Sequence, residues 1–344
     1  MVHPQRHFSD RFRRDGFPGL PGMPMGRGLG FPALLLALVS VGGLHAQELS
    51  THERIGSLDL RTLDGEVRVY YSEGFSDRAL YIQDLAEAAR RFFARPEITG
   101  VDLELAVALL GPADWAEVSG VPYGTSHILS EPFTAVLPAS SDNMLTAGVL
   151  EAEKGASERT LERIAVLGYS FPEAARMLSD FIGFHEMGHI FAEAYGIQTW
   201  PEEKWLGEFV ATYLAYAFLK EYRLELADLW EAVNDAMVES GPRQHSSLAD
   251  FEELYLGVGP DYGWYQGRFQ QRAKAVYGVM GISFIHALKV LLAEKPDVTP
   301  DDQYRLKELD SICAGFLIWA KGETGDLLRT GQPGDGIRRW PDFR

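Results

Sequence analysis

Apolar and polar positions alternate in short stretches over the first half of the chain and recur at helical spacing over the second half. Val67–Ser72 (VRVYYS) alternates and is rich in β-formers, so it predicts a strand. Asp77 reads as the N-cap of a helix running to about Arg95, where Pro96 stops it. Asp102–Leu110 reads as a buried strand ended by Gly111-Pro112. Phe133–Leu137, closed by Pro138, reads as a third strand, and its flanking prolines predict an edge position. From Phe171 the period changes. Pro172–Tyr195 predicts a helix stopping near Gly196, and Glu202–Arg223 a second one with Pro201 at its start. Further helical stretches cover about 224–239, 265–293 and 302–320, and the Gly- and Pro-containing tail from Lys321 is expected to pack loosely. Strands first and helices second predict an α+β fold in one unit over 47–320. It has a small mixed N-terminal lobe (about 60–196) and a helical C-terminal lobe (about 197–320).

The N-terminus changes the picture. Phe31–Leu44 is an apolar run preceded by Arg27 and followed by His45-Ala46-Gln47, the order of a secretory signal with cleavage after Ala46. Its 14 residues are too few for a membrane-spanning helix, which needs about 20. Met23 and Met25 lie just upstream of Arg27, and a start at either gives a short charged leader, so residues 1–46 are set aside as a signal region. The expectation is an exported protein, periplasmic or extracellular. The full chain carries a formal charge of -17; without the five arginines and two aspartates of the leader it is near -20. Such acidity disfavours nucleic acid and anionic lipid as partners. Cys313 is the single cysteine, so no internal disulfide forms.

The chemistry gathers in Phe184-His185-Glu186-Met187-Gly188-His189, an H-E-x-x-H sequence inside an expected helix. Residues four apart share a helical face, so both imidazoles can bind one ion while Glu186 stands beside them as a proton acceptor. A third ligand is required. Ala192 and Tyr195 occupy the positions where the extended three-histidine pattern needs glycine and histidine. Glu193 lies eight residues beyond His185, about 12 Å along a regular helix, too far to share an ion. Glu208 comes 19 residues after His189, with room for a turn and a returning helix. Ala211, Thr212 and Ala215 share its face, and small residues there let two helices approach closely. Thr212 is also placed to orient a ligand. The candidate metal ligands are therefore His185, His189 and Glu208.

H-E-x-x-H followed some twenty residues later by Trp205-x-x-Glu208-x-x-Ala211-x-Tyr213 resembles the gluzincin clan of zinc metallopeptidases, to which the thermolysin-like enzymes belong. The resemblance covers about residues 180–220. It implies one Zn²⁺ per chain, a peptide or protein substrate, and an edge strand above the active-site helix, a place that Phe133–Leu137 is expected to fill. The G-x-M-x-N signature of the clan's aminopeptidases does not occur upstream. The implied mechanism is hydrolysis by metal-activated water with Glu186 as general base. A further donor is needed for the oxyanion. Tyr262, Tyr265 and His245 are at hand, and Tyr265 is the residue chosen. His127 and His286 read as ordinary satisfied histidines. Two other readings stay open: a binding or structural protein that keeps the fold without hydrolysis, and a zinc amidohydrolase acting on a non-peptide substrate. Glu186 favours an enzyme, because a purely structural site has no use for that carboxylate.

Overall fold

The computed structural model describes residues 50–321 apart from 131, 200, 241, 242, 300, 301 and 303; the expected leader and the tail beyond Lys321 lie outside the described residues. All described residues belong to one compact unit, Leu49–Arg344. The fold is α+β, with a five-stranded mixed sheet in the N-terminal region and a helical C-terminal part.

The sheet is built from β1 (Arg61–Leu63), β2 (Arg68–Tyr71), β3 (Ala106–Leu110), β4 (His127–Ser130) and β5 (Phe133–Pro138), in the spatial order β1-β2-β3-β5-β4. β2, β3 and β5 run parallel, and β1 and β4 lie antiparallel at the two edges. Helix α1 (Thr51–Ser57) precedes the sheet, and α2 (Ser76–Phe93) crosses from β2 to β3. The cap of α2 differs from expectation: the helix starts at Ser76 after Phe75, which leaves Asp77 in the first turn, where its charge suits the helix dipole. Alternation along β3 divides the interior. Val107 and Leu109 face the main core; Ala108 and Leu110 face a smaller cluster with Ile55 of α1 and with Trp115 and Val118 of α3 (Pro112–Val118).

Phe133–Leu137 forms the expected strand but not the expected edge. β5 is paired on both sides, with β3 and with β4, and the edge nearest the later helices is β4. Pro138 is tolerated because it closes the strand.

After α4 (Met144–Ala152) and α5 (Glu158–Val166) comes α6 (Phe171–Tyr195), the helix that carries H-E-x-x-H. Its limits have clear causes. Ser170 and Glu173 form a reciprocal capping box, Pro172 occupies the first turn, and Gly196 at φ 91° supplies the left-handed residue that ends it. Helix α7 (Lys204–Tyr222) returns across α6. Its first amides, those of Lys204 and Trp205, donate to the Glu252 carboxylate. The crossing is close: a Cβ on Gly188 would lie 2.7 Å from the Ala211 carbonyl oxygen and 3.0 Å from its Cα. Only glycine fits between His185 and His189 at this spacing.

The remaining helices are α8 (Leu224–Glu239), α9 (Leu248–Leu254), α10 (Tyr262–Met280), α11 (Ser283–Glu294), α12 (Leu306–Ile312) and α13 (Phe316–Ala320). Expected helix 265–293 is two helices, broken at Gly281 (φ 54°); expected helix 302–320 is two short ones, broken before Gly315 (φ 104°). Buried aromatics fill the space around α7, with Trp205, Phe209, Tyr213, Phe269, Phe284 and Phe316 in edge and tilted contacts. No single described helix is long and apolar enough to cross a membrane.

Candidate metal centre

His185 and His189 leave the same face of α6, and Glu208 meets them from α7. Their donor atoms converge. His185 Nε2 lies 3.1 Å from His189 Nε2 and 3.1 Å from Glu208 Oε2, and His189 Nε2 lies 3.5 Å from Glu208 Oε1. His185 and Glu208 are buried and His189 is half-buried. This buried group of two imidazoles and one carboxylate is able to bind a metal ion, and it is the only such group among the described residues. Glu193 takes no part in it, as the helical rise requires.

The electrostatics follow from burial. Taking Glu208 out of water raises its pKa, but His189 and His185 outweigh that and hold it well below the ordinary carboxylate range. Burial opposes charge on His189, and Glu208 beside it turns the balance upward. Glu186 is buried beside the three donors without being one of them, and it forms no hydrogen bond among the described residues. Burial pushes its carboxyl up, against the pull of the two imidazoles.

Glu208 is held by three groups besides the histidines. The hydroxyl of Tyr255 donates to Oε1 at 2.6 Å; the hydroxyl of Tyr262 and the amide of Gln266 donate to Oε2 at 3.1 and 2.8 Å. Thr212, one turn along α7, links His185 Nδ1 at 3.1 Å to Gln266 Oε1 at 3.4 Å. Tyr255 opens a 3₁₀ segment, Tyr255–Asp261, with φ at 49°, a left-handed conformation costing about 1–3 kcal/mol for a non-glycine residue. That segment sets the Tyr255 phenol on the buried carboxylate, and the first residue of α10 (Tyr262–Met280) adds the second.

Tyr265 is elsewhere. It is fully buried among Phe251, Trp264 and Phe269, and its hydroxyl donates to the Ser247 carbonyl at 2.7 Å. That hydroxyl does not reach the three ligand side chains; the phenols that do are Tyr262 and Tyr255, on Glu208. The sequence held one usable signal: Tyr262 and Gln266 are four apart, a polar pair on one face of an otherwise core-forming helix. His245 sits near Asp250 and Asp261, away from the ligands. His127 faces the Thr125 carbonyl and the Trp115 ring, and His286 lies between the Tyr195 hydroxyl and the Glu97 carbonyl, so both are satisfied in place.

Comparison with protein-family models, with characterised proteins and with solved structures gave no match to this chain. The functional reading therefore rests on the site itself.

Proposed function

We propose that this chain is a zinc-dependent hydrolase of the gluzincin type that cleaves peptide bonds. The observation that carries the reading is the convergence of the three donors beside a carboxylate that is not one of them. Four-coordinate zinc with bonds of about 2.0–2.1 Å needs ligand atoms about 3.3 Å apart; here the two Nε2 atoms lie 3.1 Å apart, and the Glu208 carboxylate meets His185 through Oε2 at 3.1 Å and His189 through Oε1 at 3.5 Å. Two imidazoles and one carboxylate are a donor set that suits catalytic zinc, which keeps one position open. Cys313, buried against Arg272, is no part of the site, which counts against a cysteine-based structural centre.

When bound, zinc would act as a Lewis acid and bring the pKa of water toward neutrality. His185, His189 and Glu208 would hold it. Glu186 would take the proton from the attacking water and return it to the leaving amine. Burial raises its pKa, and that supports both halves of the shuttle. Tyr262 stands beside Glu208 and Glu186, and its hydroxyl, which donates to Glu208 Oε2 at 3.1 Å, would be able to turn to the developing oxyanion once Glu208 holds the ion. β4 lies at the end of the sheet and packs against α6, and its outer edge offers main-chain partners to an extended peptide.

Metal analysis of the purified mature chain tests the reading, with wild type, Glu208→Ala and Glu186→Gln run beside hydrolysis of casein and a peptide library. The expected outcome is one zinc per chain, lost in Glu208→Ala and kept in Glu186→Gln, with cleavage abolished in both variants. Zinc without cleavage in the wild type would favour a binding protein or an amidohydrolase with another substrate. No zinc after reconstitution would end the reading. Export belongs to the same proposal, and the N-terminus of the secreted product, expected at Gln47, checks it.

A further inference from the structure

We propose that Glu193 is a specificity-determining residue that selects substrates with a positive charge beside the bond to be cut, a role that rests on the hydrolase reading above. Access to the centre is uneven. Glu208, His185 and Glu186 are only 3%, 5% and 8% exposed, so the chain itself covers them. The His189 side chain is 23% exposed, which makes its flank the open edge of the ligand set. Glu193 stands on that flank, one turn further along α6 on the same face. Side chains on a helix lean toward its N-terminus, so the Glu193 carboxylate is carried back over the turn that holds His189. Its negative charge acts on the His189 ring.

Glu193 is half-buried, and its side chain forms no hydrogen bond or ion pair among the described residues. Lys289, at the same end of α6, lies over the Tyr195 ring at 3.7 Å instead. Most carboxylates on an acidic surface are simply solvated; what separates Glu193 from them is its place beside the open edge of the centre. An ionised carboxylate only accepts, so its partner must be a donor, and a charged donor is held about twice as strongly as a neutral one. Partial burial protects such a pair from the screening that weakens it on open surface. The whole chain acts in the same direction, because a formal charge of -17 draws cations in and repels anionic substrates. The chemistry that fits is an ammonium or guanidinium group, supplied by a Lys or Arg side chain or by the N-terminus of the peptide itself.

The test uses the full mature chain and peptide sets that differ at one position, lysine against norleucine against glutamate, each with a free and an acetylated N-terminus. Cleavage by the wild type is read beside calorimetric binding to Glu186→Gln, which does not depend on turnover. The expected result is a preference of about 10-fold for the positively charged peptide. That ratio should fall to near one in Glu193→Gln and turn toward glutamate in Glu193→Lys, with zinc content kept in both. Each ratio compares peptides on one variant, so a partly unfolded sample leaves it unchanged. Loss of the preference on acetylation names the N-terminus as the source of the charge, and its persistence names the side chain. A wild type that cleaves or binds peptides without the preference overturns the proposal, as does a preference that survives Glu193→Gln. Loss of zinc in Glu193→Gln would mark a support of the metal instead of a substrate contact and also overturns it, and so does the absence of any peptide binding. Cleavage without the preference leaves the hydrolase reading standing. A charge preference in binding without any cleavage keeps the role of Glu193 and defeats the hydrolase reading, so the two failures are distinct.

Discussion

Tyr262 and Tyr265 are one helical turn apart, and that turn separates a donor at the site from a core residue. Tyr262 shares its face with Gln266, and both reach Glu208; Tyr265 shares its face with Phe269 and reaches the Ser247 carbonyl. Substitution should separate them. Tyr262→Phe is expected to lower kcat about 10²–10³-fold with zinc content unchanged, the size seen when one oxyanion donor is removed. Tyr265→Phe is expected to cost about 1–3 kcal/mol of stability by leaving a buried carbonyl unpaired, with kcat per folded molecule unchanged. Steady-state kinetics beside urea unfolding reads both, and equal loss of kcat in the two variants would refute the assignment.

At the scale of elements, the two ligand helices are legible because local rules fix them. A capping box, a proline in the first turn and a left-handed glycine bound α6, and the four-residue spacing of its histidines follows from 3.6 residues per turn. Their approach depends on Gly188, which meets the backbone of Ala211. Gly188→Ala should push α7 away from α6, costing about 1–3 kcal/mol as an overpacked contact, and should lower zinc affinity by moving Glu208. Thermal unfolding and metal competition check the pair of effects; a stable variant with wild-type affinity would show that the crossing has slack. Less regular elements were harder to read. β1 has three residues and β4 has four, too short for alternation to register, and β4 alternates weakly because all its residues are partly exposed. Gly281 and Gly315 break helices whose apolar period runs on across them, so periodicity alone joins what the backbone separates.

On the scale of the whole molecule, an ion at this centre would join α6 and α7 directly and, through Glu208, the 3₁₀ segment and α10. Zinc that binds only the folded chain must therefore stabilise it. At a thousand times Kd the gain is about 4 kcal/mol, and it should vanish with chelator or in Glu208→Ala; calorimetry that finds no zinc-dependent change in Tm in the wild type would contradict this. Other ties cross the same helices without the metal. Glu231 of α8, buried, accepts from Tyr216 at 2.7 Å and pairs with Lys274 of α10, and Arg305 lies buried on Glu203. The sequence alone determined what short-range physics can encode: the α+β order, both ligand helices and the three candidate ligands, because helical spacing and end signals are properties of a few consecutive residues. The tertiary structure decided what depends on residues far apart in the chain. It made β5 an interior strand by pairing β4 against it, set Tyr262 and Tyr255, and not Tyr265, on Glu208, and brought Gln266 within 2.8 Å of a carboxylate 58 residues earlier. A side chain's partner across the core is set by how whole elements pack, and no local pattern carries that information.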